Sequence, residues 1–89
     1  MARFEIADVE AATMGEAPPS GDVFFKLGMM YSTGSSVPTD YVSAHKWFNL
    51  ASMRGNTAAS RLRREVATQM TELEIAAAQR AARDWLAAN

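Results

Sequence analysis

The apolar residues of this chain fall into helical stripes, separated by short runs rich in glycine, serine and proline. Over 22–32, Phe24, Leu27 and Tyr31 stand at i, i+3 and i+7, the spacing of one buried helical face. Asp22 is the expected N-cap. Gly28 interrupts that face. Glycine inside a helix costs about 1 kcal/mol relative to alanine, so its presence predicts the close approach of another backbone. Gly34 suits a left-handed helix end, and "SSVPT" follows as a connector. A second helix is predicted over 41–54, capped by Asp40, with Ala44, Trp47, Phe48 and Ala51 on its inner stripe. His45 and Lys46 fall off that stripe, which predicts an exposed histidine. Arg54 lies in the last turn, where a cation suits the helix dipole, and Gly55 ends the element.

The pattern continues to the C-terminus. Asn56 or Thr57 can cap a third helix over 57–69, with Ala59, Leu62, Val66 and Met70 inward. Thr71 with Glu74 three residues later is a capping box. It opens a fourth helix over 72–87, whose inner face reads Ile75, Ala78, Ala82, Trp85 and Leu86. No segment has the alternation of a strand. The start is different: Phe4, Ile6 and Val9 are followed by "GEAPPSGD", which breaks regular structure. The expected organisation is an arm or linker over 1–21, with one helical turn at 7–13, and a helical domain over 22–89. The fold class expected is all-α, a short α-α superhelix of about two helix-loop-helix repeats and four helices.

A repeat supports that organisation. "AHKWF" at 44–48 recurs as "ARDWL" at 82–86, and "FFKL" at 24–27 resembles "ASRL" at 59–62. The offsets of 38 and 35 residues fit two copies of one helix-loop-helix unit. The second copy lacks the glycines: Gly28 corresponds to Arg63 and Gly34 to Gln69.

The stretch "LGMMYSTGSSVPTDYVSAHKWFNLASMRGN" resembles one unit of the Sel-one-like repeat, a relative of the tetratricopeptide repeat. The residues that carry the likeness are Leu27, Gly28, Tyr31, Gly34, Val37, Pro38, Asp40, Ala44, Trp47, Ala51, Gly55 and Asn56. Ser36 stands where that family usually has a second glycine, so a less tightly turned loop is expected. The likeness fades after Asn56, although a terminal helix ending in Trp-Leu is similar to the family's closing element. The resemblance implies two antiparallel helices packed side by side, with Gly28 and Ala44 allowing their approach and Tyr31, Trp47 and Phe48 filling the seam. It also implies that the first helix of each unit lines a concave surface. Proteins resembling the family act as adaptors in signalling and protein quality control.

Composition narrows the chemistry. With 89 residues and no cysteine, the chain suits one small domain without disulfides or thiolate metal sites. Nearly half the residues are apolar, which argues against overall disorder. "MARFEIADVE" carries charges where a signal peptide needs an apolar run, and no segment approaches the roughly 18 apolar residues of a membrane span. A cytoplasmic protein with no membrane partner is the expectation.

The net charge is −1, but it is unevenly spread. Residues 1–22 hold Glu5, Asp8, Glu10, Glu16 and Asp22 against Arg3. Residues 41–64 hold Lys46, Arg54, Arg61, Arg63 and Arg64 without an acid. Those four arginines form too small a patch, with no interleaved aromatics, to predict a nucleic-acid partner. A solvated face paired with Glu65 or with the acidic arm accounts for them.

No catalytic constellation is visible. His45 has no carboxylate within a turn on its face, the loop hydroxyls lack a base, and no phosphate-binding loop occurs. No metal or cofactor is expected. Trp47 and Trp85 hold equivalent places in the repeat and read as core. Met29 and Phe25 lie off the Leu27–Tyr31 stripe, and methionine suits adaptable contact surfaces. Their counterparts on the third helix are Arg64 and Ser60. Phe25, Met29, Ser60, Arg61 and Arg64 are therefore the expected partner groove, unless the arm covers it through Phe4 and Ile6. The function expected is a non-enzymatic protein-protein interaction module, a small adaptor or regulator. Alternatives are docking on an energy-dependent protease or chaperone through Ala87, Ala88 and Asn89, or self-assembly, since so short a solenoid leaves both ends open to a second copy.

Overall fold

The computed structural model of the chain describes residues 20–89. The expected helical turn at 7–13, and the covering of the groove by Phe4 and Ile6, lie outside the described residues. Four helices follow in order: α1 (Gly21–Thr33), α2 (Tyr41–Met53), α3 (Thr57–Ala67) and α4 (Glu72–Ala88). Among the described residues there is no strand, and the fold is all-α.

Each helix begins on a side-chain cap. The Val23 amide donates to Ser20 Oγ at 3.3 Å, so Ser20, in an extended conformation, caps α1. Asp22, expected as the cap, sits in the first turn instead, where its charge still suits the dipole. Asp40 caps α2 by accepting from the Ser43 amide at 3.2 Å, and Asn56 caps α3 by accepting from the Ala59 amide at 3.0 Å. Thr71 and Glu74 form the reciprocal box at the start of α4, at 3.1 and 2.8 Å.

Two ends differ from expectation. α2 stops at Met53, with Arg54 as its cap and Gly55 just beyond. α3 stops at Ala67 rather than 69, because Thr68, Gln69 and Met70 each donate to the carbonyl three residues back and the last turn tightens.

The loop after α1 is a closed turn. Gly34 adopts φ 76°, and the Gly34 and Ser35 amides both donate to the Met30 carbonyl. Ser36, at the place expected to loosen the loop, takes a left-handed φ of 70° itself. The turn is kept, at the strain a non-glycine residue carries there. The Asp40 amide then donates to the Tyr31 carbonyl at 3.0 Å and ties the end of α1 to the start of α2.

The helix arrangement is centred on α2: α1, α3 and α4 each pack chiefly against it. α1 and α2 are antiparallel, since the end of α1 meets the start of α2 while Gly21 lies against the Ala51 and Arg54 carbonyls. Gly28 makes that pairing possible, though not through the backbone approach expected of it. A Cβ there would fall 2.5 Å from two ring carbons of Phe48, so the glycine makes room for a ring.

On one side of α2 the core is aromatic. Phe24 stacks on Trp47 with centroids 5.7 Å apart, and Trp85 meets both edge-on at 5.2 and 6.0 Å. The equivalent pairs Ala44/Ala82 and Trp47/Trp85 are all buried, as the repeat implied. The indole Nε1 of Trp85 is buried without a hydrogen-bond partner among the described residues, a desolvation cost of about 1–3 kcal/mol that the packing offsets. Leu86, the next residue, is exposed rather than inward as expected.

Candidate partner-binding surface

α1 and α3 start beside one another at the corner where α2 ends. Gly21 faces Asn56, and Asn56 Nδ2 donates to Asp22 Oδ1 at 3.5 Å. From that corner each helix carries one part of the expected surface. On α1, Phe25 is half-buried and tilts onto Phe48 at 5.8 Å. Much of its ring therefore belongs to the core cluster. Met29, one turn on, is 36% exposed. On α3, Ser60 is half-buried while Arg61 and Arg64 are exposed. Among the described residues, no hydrogen bond, ion pair or ring contact joins the α1 set to the α3 set.

The electrostatics of α3 are mostly solvated. Arg61 pairs with Glu65 at 2.9 Å, one turn along, with both side chains more than half exposed. Such a pair contributes at most about 0.5 kcal/mol, so a partner's carboxylate can replace Glu65 at little cost. Arg63 is different. Its guanidinium donates to Asn49 Oδ1 at 2.6 Å and stitches α3 to α2.

Beside that contact lies His45, which is buried and not exposed as its place off the stripe had predicted. The reason is the central position of α2. A single-stripe pattern assumes one covered face, whereas α2 is covered from three directions. Leu50, also off the stripe, is buried for the same reason. The available signal was that Val42, Leu50 and Met53 make α2 apolar beyond its stripe, as a central helix should be. Burial first, and the Arg63 guanidinium second, hold the imidazole below its ordinary pKa of 6.5.

The alternative docking element is anchored rather than loose at its end. The amide and the side-chain Nδ2 of Asn89 both donate to the Trp85 carbonyl at 3.0 Å. Asn89 thereby caps α4, leaving Leu86, Ala87 and Ala88 exposed around it.

An open depression of about 420 Å³ lies between the α1–α2 loop and α4. It is walled by Tyr31, Pro38, Tyr41 and Val42, with Asp40 and Glu74 at its edge. Both carboxylates are occupied as helix caps. Among the described residues no three metal-ligating side chains come together, and no helix is long and apolar enough to cross a membrane. Comparisons of the chain with protein-family models, with curated proteins and with solved structures give no match.

Proposed function

We propose that this chain is a non-enzymatic protein-protein interaction module, a cytoplasmic adaptor or regulator of the Sel-one-like repeat type. A partner segment lies along α1 and α3. The observation that supports this reading is the division of labour between two helices that start side by side. α1 offers Met29 and the outer edge of Phe25, and α3 offers Arg61 and Arg64. A segment with apolar side chains on one edge and carboxylates on the other would satisfy both. Ser60 between them supplies a hydroxyl for the partner's backbone.

A pull-down from native lysate tests the proposal. It compares wild type, Met29→Glu with Arg64→Glu, and a chain lacking Ala87–Asn89, each with its helicity checked. Loss of a captured protein in the double variant alone supports the groove. Loss in the truncation alone moves the function to the tail, a reading favoured by the exposed Leu86, Ala87 and Ala88 around the Asn89 cap. Capture of nothing but the chain itself favours self-assembly, for which Leu73, 84% exposed at the start of α4, is the first contact to change.

A further inference from the structure

The seam between α2 and α3 holds a titratable ring that the proposed binding surface does not use. His45 is 4% exposed, and its Nδ1 is buried with no hydrogen-bond partner among the described residues. Asn49, one turn further along α2, is engaged by Arg63 from α3. The charged group that bears on the ring is thus a cation.

Among the described residues, no carboxylate is paired with the His45 ring. On α1, Asp22 and Lys26 are exposed. On α4, Glu72, Glu74, Arg80, Arg83 and Asp84 are exposed. On α2 itself, Asp40 is exposed and its oxygens accept from Ser43, while Lys46 lies over the Trp47 ring. On α3, Glu65 is exposed and paired with Arg61, and Arg64 is exposed. A protonated His45 would be a buried cation beside another cation, with a donor at Nδ1 and no acceptor among the described residues. Moving the ring into water relieves that cost.

We infer that His45 is a proton-sensitive latch for α3: protonation of its buried ring opens the α2/α3 seam while α1, α2 and α4 remain packed. α3 is the helix that can leave. It contributes only Ala59 and Val66 to the buried core, with Leu62 half-buried. The aromatic triangle of Phe24, Trp47 and Trp85 contains no residue of α3. At 11 residues, α3 is also too short to stay helical alone in water. Opening therefore melts it. The functional consequence, withdrawal of Arg61 and Arg64 from a partner in mild acid, rests on the proposed function; the latch itself does not.

The test uses the full chain without any partner, so it succeeds or fails independently of binding. Amide-exchange protection is measured by NMR at pH 7.5, 6.5 and 5.5 for wild type and His45→Phe, together with the titration of the imidazole ring protons. One proton taken up on opening predicts a fall in α3 protection of up to about tenfold between pH 7.5 and 5.5. Protection in α1 and α4 should hold, and the fall should vanish in His45→Phe. The ring should titrate with a midpoint below 6.5. The inference is overturned if α3 protection is flat in wild type, if it falls equally in His45→Phe, or if all four helices lose protection together. Should His45→Phe not fold, a ring midpoint at or above 6.5 in wild type overturns it alone.

Discussion

α2 has two unlike flanks. Towards α1 and α4 it meets a dry cluster in which Phe24, Trp47 and Trp85 are in mutual ring contact and Phe48 fills the notch at Gly28. Towards α3 it meets Ala59, Val66 and the half-buried Leu62, together with a guanidinium-amide hydrogen bond, and there it buries its own His45 imidazole. The same helix thus joins a flank held by large apolar area, which is insensitive to pH, to one held by little area and a proton-dependent group. In a domain this small, the first flank supplies most of the stability. The second is where movement is cheapest, and it carries half of the proposed binding surface.

The contrast can be broken hardest at the aromatic flank. Trp47→Ala should cost about 3–5 kcal/mol, enough to unfold much of the population of so small a domain; urea denaturation followed by circular dichroism would show it. Gly28→Ala is the sharper test of the Phe48 notch. Overpacking costs roughly 1–3 kcal/mol, and the gain in helix propensity of about 1 kcal/mol offsets part of it. A net loss of stability is expected, whereas an exposed helical glycine would show a gain.

The effect of pH comes next in size and belongs to the α3 flank. The folded state holds His45 below its ordinary value of 6.5, so the unfolded chain binds the proton first. Stability from this group is complete above about pH 6.5. It falls as the pH drops from there towards the lower folded-state value. Between pH 7.5 and 5.5 the loss is at most about 1.4 kcal/mol, and it should be absent in His45→Phe. The smallest expected effect is at Glu65→Gln, which breaks the exposed pair with Arg61. A change within about 0.5 kcal/mol in thermal denaturation is predicted.

Much of this architecture was readable from residue order because local chemistry dictates it. Asp40, Asn56 and the Thr71–Glu74 pair are caps whose side chains reach amides three residues away. Gly34 marks a left-handed turn. The tryptophans at equivalent repeat places do meet, edge to face. What periodicity could not convey was how many neighbours each helix has. That is why His45 was misplaced, and why the stripe left out the buried Leu50: a stripe identifies one face, and α2 is covered on three sides. Leu86 was misplaced as well: Trp85 faces the core, and Leu86, the next residue along α4, is 39% exposed. At the candidate surface, residue type foretold that Arg61 and Arg64 would be solvated. It could not foretell that Phe25 would be drawn against Phe48. Contacts of that kind arise between helices, beyond the reach of any local pattern.

The most direct test of the two-flank description is urea unfolding at pH 7.0 followed in parallel by tryptophan fluorescence and by helical circular dichroism. Both tryptophans lie in the aromatic flank and α3 contains no aromatic residue, so the two signals report different sides of α2. If α3 separates first, ellipticity should begin to fall before fluorescence changes. The early loss should be about a fifth of the helical signal, the share of the described helical residues that lie in α3. Superimposable curves, the mark of a single cooperative transition, would contradict it and place α3 in the same folding unit as the aromatic core.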